Sequence, residues 1–222
     1  INCLIGEDEI PEDAQIIDCG GSFIALGLID LQVYGGGGYL FSEDPRRESM
    51  QAMADHLIQQ GTTGFLLTLA TNAPEVYETA IEVVKRNPHD AVLGLHFEGP
   101  YINPLRKGAH PEIYIRKPER REILQLLNKA AGSLKMMTLA PELFDRETLQ
   151  LLTDHGVMLS VGHSNASYEE AERAFDSGIR SATHLFNAMP ALHHREPGLV
   201  GAVIGSDEVR ASIIADGVHV DL

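Results

Sequence analysis

The sequence is short of cysteine, of positive charge and of long apolar runs, and each shortage removes a class of protein. Only two cysteines occur, Cys3 and Cys19, and their separation fits no metal-type spacing. A reducing, cytoplasmic setting therefore fits better than a disulfide scaffold. Lys and Arg number 17 against 32 Asp and Glu, a formal net charge of -15. A diffuse negative surface repels nucleic acid and anionic membranes, and no basic run offsets it, so no nucleic-acid partner is expected. A small anionic substrate stays compatible, because it feels the local field more than the total. No window approaches the ~18 uninterrupted apolar residues of a membrane span, so no membrane partner is expected either. No signal peptide is visible, and the chain opens on Ile1 rather than methionine, so its start is expected to lie upstream.

What is present is a rhythm. Seven short apolar runs recur: "FIALGLID", "TTGFLLTLA", "AVLGLHFEG", "LKMMTLAPE", "VMLSVGHS", "IRSATHLF" and "VRASIIADG". Five amphipathic stretches lie between them: "PRRESMQAMADHLIQQG", "APEVYETAIEVVKRN", "KPERREILQLLNKAAG", "DRETLQLLTDHG" and "SYEEAERAFDSG". These carry apolar residues at helical spacing, start near Pro, Asp or Ser and often stop at Gly. Ser167 with Glu170 reads as a capping box. Alternating β and α units predict parallel strands with helices outside, and continuous apolar strands predict burial on both faces.

An open doubly wound sheet and a (β/α)8 barrel both satisfy this pattern, and the polar residues separate them. Gln32, Thr68, Glu98, Glu142, His163, His184 and Asp216 stand at the carboxyl ends of the runs. A barrel collects all such ends at one face, whereas an open sheet collects only those near its switch point. The fold class expected is α/β, a TIM-type barrel over residues 23–222 with its eighth strand missing. Residues 1–22 read as short turns and strand pieces, the remnant of a small β-sandwich domain.

Glu98, His163 and His184 each end a different run. Two imidazoles and a carboxylate suit Zn2+ or a similar divalent ion, and three protein ligands leave one position open, as at a catalytic site. His96, two residues before Glu98, shares its side of a regular strand. It is expected either as a support to the site or as a purely structural residue. His110 lies in the loop after the third run. Arg195, beside His193 and His194, is a planar fork donor suited to phosphate or carboxylate. The glycines after Tyr34 match neither a P-loop nor a dinucleotide fingerprint. They read as tight turns or close backbone approach, and as the floor of a pocket.

The segments "HFEGPYINPLRKGAH", "TLAPE", "VGHSNAS", "ATHLFNAMP", "REPGLVGA" and "IIADGVHVD" together resemble the N-acetylglucosamine-6-phosphate deacetylase family of the amidohydrolase superfamily. The resemblance implies a barrel with a small β-sandwich built from both chain ends. It implies hydrolysis of the acetamide of N-acetylglucosamine 6-phosphate to the amine and acetate, and commonly a homodimer. By motif, Glu98, His163 and His184 would hold one metal, with Zn2+ expected and Fe2+, Co2+ or Mn2+ as alternatives. Gln32, Ala109, His110, Asn187, Ala188, Arg195, Asp216 and His219 would meet the substrate, with His110 near the acetyl carbonyl and Arg195 at the phosphate.

Many amidohydrolases carry His-x-His where this chain has Gln32-Val33-Tyr34, so a second metal is expected to be weak or absent. The family's acid/base aspartate ends strand eight and is expected beyond Leu222, since neither Asp216 nor Asp221 matches it. The 222-residue piece alone is therefore expected to be inactive. Alternatives are a deacetylase of the galactosamine epimer, a relative that opens cyclic amides, against which the "REPGL" loop argues, and a decayed sugar-phosphate-binding protein.

Overall fold

The computed structural model of the protein describes residues 6–221. Cys3 lies outside them, and Cys19 is an exposed free thiol. Seven strands form one sheet in which every neighbouring pair is parallel: β1 (Leu28–Val33), β4 (Thr62–Ala70), β5 (Val92–Glu98), β6 (Leu134–Leu139), β7 (Met158–Val161), β8 (Ser181–Ala182) and β9 (Arg210–Ala211). Their order in space is their order in the chain. A doubly wound sheet reverses direction at a switch point; this sheet never does, and it curls in the manner of a (β/α)8 barrel. A two-stranded hairpin, β2 (Gly35–Gly36) with β3 (Tyr39–Leu40), leads out of β1.

Helices connect the strands as the periodicity predicts: α1 (Arg47–Gln59), α2 (Pro74–Arg86), α3 (Arg120–Ala130), α4 (Arg146–Asp154) and α5 (Tyr168–Asp176). Their ends follow local chemistry. Pro74 opens α2, Asp145 accepts a hydrogen bond from Thr148 N–H at α4, and Ser167 and Glu170 form the reciprocal capping box at α5. Phe65, Leu66, Leu67 and Leu69 of β4 and Leu95 and Phe97 of β5 are buried on both strand faces, as a continuous apolar strand requires.

Four features depart from the sequence reading. A sixth helix, α6 (Gly198–Gly205), has no polar face: "GLVGAVIG" is apolar all round, so it carries no helical periodicity to detect. Strand β8 stops after two residues because the backbone then turns left-handed at His184 (φ 37°), Phe186 (φ 77°) and Ala188 (φ 51°), which no ladder tolerates. The glycines after Tyr34 make the expected tight turn and close backbone approach, but not a loose floor. They make the β2–β3 hairpin against α1, where a Cβ on Gly35 would stand 2.4 Å from the Tyr39 carbonyl and one on Gly37 2.6 Å from the Ala52 carbonyl. Finally, β1 begins at Leu28, not Phe23, and residues 6–27 carry a 3₁₀ turn at Glu7–Glu9 and the short turns expected there, with no strand. The strand pieces expected there are not formed among the described residues. Ile16, Ile17, Phe23, Ile24 and Leu26 are all exposed, and a strand without a partner gains no ladder.

Candidate metal centre

Three strand ends aim buried side chains at one point. Glu98 is the last residue of β5 and is 2 % exposed. His163 and His184 each sit two residues beyond their strands, β7 and β8, on left-handed backbone at φ 48° and 37°. Non-glycine residues adopt that conformation at a cost of about 1 kcal/mol or more, and it persists where the surroundings over-determine it. His163 Nε2 and His184 Nε2 stand 3.0 Å apart, and they lie 3.4 and 3.1 Å from Glu98 Oε1. His110, buried in the loop after β5, reaches the other oxygen, with Nε2 3.1 Å from Glu98 Oε2.

The partners of the distal ring nitrogens set the tautomers. His163 Nδ1 is 2.8 Å from the Arg106 carbonyl, so that nitrogen donates and a neutral ring turns a bare Nε2 lone pair inward. His110 is the reverse. The Thr71 backbone N–H donates to His110 Nδ1 at 3.1 Å, so its proton sits on Nε2 and faces Glu98. His184 Nδ1 is buried without a hydrogen-bond partner among the described residues.

Glu98 is further held by Gln32 and Tyr34. Gln32 Nε2 donates to Oε1 at 3.0 Å, and the Tyr34 hydroxyl donates to Oε2 in a short hydrogen bond, itself supported by Gln32. Burial alone would raise the Glu98 carboxyl pKa, but the imidazoles packed around it, the His110 N–H first, outweigh it and hold it well below the usual carboxylate range. Burial first, and then Glu98, push the Tyr34 phenol far above its usual value, so it keeps its proton and donates. Tyr34 is a site residue for which the sequence reading expected no metal-binding role, and it donates to Glu98 instead. The signal was there, since Gln32 and Tyr34 are two apart and share one side of an extended chain. Thr71 and the Arg106 carbonyl had no signal in the sequence.

The donor set suits a divalent cation. Glu98, His110 and His163 form a buried group whose ligand atoms all lie within 4.8 Å of one another, and His184 meets Glu98 and His163 at least as closely. One layer below, His96 has a different occupation. Its Nδ1 is 2.8 Å from the Leu31 carbonyl and its Nε2 2.8 Å from Thr138 Oγ1; Thr138 meets Thr183 at 2.8 Å, and Thr183 meets Ser160 at 2.7 Å. The Leu31 carbonyl can only accept, so His96 Nδ1 donates and every hydroxyl in turn donates the same way: Ser160 to Thr183 to Thr138 to His96. Burial pushes the His96 pKa down to about 4, which keeps the ring neutral. His96 makes no hydrogen bond to Glu98. It braces the strands instead.

Of the remaining expected substrate residues only Asn187 is tied to the cluster by a hydrogen bond among the described residues, its backbone N–H donating to the His184 carbonyl at 2.9 Å. Ala109 is exposed beside His110, and Asn187 and Ala188 are half-buried in the turn after His184. Arg195 is exposed, its backbone N–H donating to His193 Nδ1 at 3.3 Å. Asp216 and His219 pair with each other at 2.7 Å on an exposed turn, where hydrogen bonds from the His219 and Val218 backbone and the His219 ring lower the Asp216 pKa.

Comparison with known proteins places this geometry. N-acetylglucosamine-6-phosphate deacetylase from Mus musculus is 42% identical over 218 residues, covering 91% of this chain and 53% of that protein. N-acetylgalactosamine-6-phosphate deacetylase from Shewanella is 39% identical over 203 residues, covering 90% of this chain and 51% of that protein. The crystal structure of N-acetylglucosamine-6-phosphate deacetylase from Pasteurella multocida superimposes with a TM-score of 0.91 at 37% identity, over 97% of this chain and 57% of that one. The chain thus spans about half the length of the curated relatives it matches. The amidohydrolase family matches residues 23–221, the whole of the sheet, its helices and the Glu98 cluster. On this match the chain belongs to the amidohydrolase family.

Proposed function

We propose that the protein hydrolyses the acetamide of N-acetylglucosamine 6-phosphate, releasing glucosamine 6-phosphate and acetate. The observation that carries this reading is the convergence of Glu98, His163 and His184 from three strand ends, with His110 aimed at the same point. The names of the relatives support the substrate.

Glu98, His163 and His184 are the proposed metal ligands. The His110 tautomer argues against a set that includes it, because that ring turns an N–H rather than a lone pair toward Glu98. The carboxylate is held ionised, as a ligand must be. Zn2+ is the ion proposed, with Fe2+, Co2+ and Mn2+ accepted by the same donors. When bound, such an ion polarises the amide carbonyl and makes water acidic enough to attack it at neutral pH. His110 supplies an N–H donor for the oxygen that becomes negative as the amide is attacked, with Thr71 fixing the tautomer this requires. Gln32 and Tyr34 hold Glu98 in place and occupy the positions where two histidines would support a second metal, so one ion per chain is proposed. Ala109, Asn187, Ala188, Asp216 and His219 are proposed to line the sugar, and Arg195, a fork donor on an acidic protein, to take its phosphate.

The galactosamine epimer is the second reading, favoured by the Shewanella relative. A cytoplasmic homodimer, and residues 1–22 as part of a small β-domain, belong to the same proposal and rest on the resemblance. The test is acetate release from the two N-acetylhexosamine 6-phosphates by the metal-loaded full-length protein. Faster release from the glucosamine epimer, lost in Glu98→Ala, is expected. Faster release from the galactosamine epimer selects the second reading, and no release from either overturns both.

A further inference from the structure

Glu142 ends the run after β6 and reaches none of the cluster residues, yet it binds the loops on either side of His163. Its Oε1 accepts from the Asn165 backbone N–H at 2.7 Å and from Asn103 Nδ2 at 2.9 Å, and its Oε2 accepts from the Ser164 hydroxyl at 2.7 Å. Ser164 and Asn165 directly follow His163. Asn103 belongs to the loop after β5, and its backbone N–H donates to the His163 carbonyl at 2.9 Å. The same loop carries the Arg106 carbonyl that fixes the His163 tautomer, and Arg106 Nε donates to Asn165 Oδ1 at 2.9 Å. One carboxylate thus closes a ring of hydrogen bonds around a histidine held on left-handed backbone.

We propose that Glu142 is a positioning residue for His163: it ties the loop after β7 to the loop after β5, and so fixes the direction of the His163 Nε2 lone pair. This rests on the reading of His163 as a metal ligand. The geometry makes Glu142 necessary in a specific way. At φ 48° the His163 backbone has no ladder to hold it, and its neighbours' polar groups point to Glu142 instead. Three charge-assisted hydrogen bonds from two loops converge on a half-buried carboxylate. Without them the Arg106 carbonyl and the imidazole are free to drift apart, and the ring loses the partner that sets its tautomer. Groups that orient a ligand from behind typically change metal affinity by about 10–100-fold when removed.

The test measures Zn2+ affinity of the purified protein by competition with a chromophoric chelator, and the absorption bands of the Co2+-loaded form. Glu142→Ala is expected to weaken Zn2+ binding by about 10–100-fold and to shift the Co2+ bands. Glu142→Gln keeps an oxygen acceptor for Asn103 and Asn165 but turns an N–H donor toward Ser164, whose hydroxyl must then accept; it is expected to restore most of the affinity, to within about tenfold of the unaltered protein, and that rescue excludes a merely electrostatic role. His163→Ala is the reference. If it retains full Zn2+ affinity, the ligand assignment itself is wrong. If it loses Zn2+ while Glu142→Ala binds like the unaltered protein, the assignment stands and the positioning role is overturned. Should Glu142→Ala not fold, Ser164→Ala removes one bond of the ring and is expected to weaken Zn2+ binding by roughly threefold or more. An unchanged affinity there, together with unchanged Co2+ bands, overturns the proposal equally.

Discussion

Two polar layers lie on top of each other inside the sheet, and both are built around buried histidines. The lower layer is His96 with Thr138, Thr183 and Ser160. The upper layer is Glu98 with Gln32, Tyr34, His110, His163 and His184. In the lower layer each ring nitrogen and hydroxyl has a partner of matching role. In the upper layer two imidazole nitrogens face each other at 3.0 Å, and His184 Nδ1 has no partner among the described residues. Burial does not separate the two, because all four histidines are nearly inaccessible. Satisfaction does. A buried polar group with every bond made braces the fold, while one that leaves an imidazole nitrogen over beside a carboxylate suits a metal ion.

Substitutions can break that contrast. Glu98→Ala should have the largest effect, reducing bound metal from about one ion per chain to near none by elemental analysis, since it removes the only anionic donor of the proposed set. Unchanged metal content would dissolve the distinction between the layers. His96→Ala should do the opposite. It should leave metal content near normal but cost about 3 kcal/mol in denaturant unfolding, because it opens a cavity and strands the Thr138 hydroxyl.

Thr138→Val keeps the shape and removes the hydroxyl, leaving His96 Nε2 bare. About 2 kcal/mol of lost stability is expected, again with metal retained. Tyr34→Phe deletes one donor to Glu98 and should weaken Zn2+ binding by about tenfold in chelator competition, while thermal unfolding of the metal-free protein shifts little. Smallest is Ser167→Ala at the α5 cap, which belongs to neither layer. Its expected cost is about 1 kcal/mol with no change in metal affinity, and it calibrates the others.

Much of this was legible in the sequence, for identifiable reasons. The five amphipathic helices announced themselves because each buries one stripe against the sheet, and Ser167 and Asp145 marked their starts. Glu98, His163 and His184 were legible because polar residues at the ends of apolar runs are hard to explain as core. Helix α6 was not, because a helix apolar on every side has no period. The short β8 was not, because its apolar run continues in sequence through "HLF" while the backbone has already turned at His184. Tyr34 was weighed only as a metal ligand, and its role as donor was missed, although a phenol too desolvated to ionise is well suited to donate to a carboxylate. The roles of Thr71 and Arg106 rest on backbone groups, and main-chain atoms are the same at every residue.

The one-way run of donors in the lower layer also governs proton traffic. It begins at a serine hydroxyl and ends at the Leu31 carbonyl, which has no proton to pass on and accepts none at neutral pH. A relay must be able to reverse, and here reversal would require His96 to change tautomer and abandon that carbonyl. The row of hydroxyls beneath Glu98 therefore offers no path by which a proton could leave the cluster through His96.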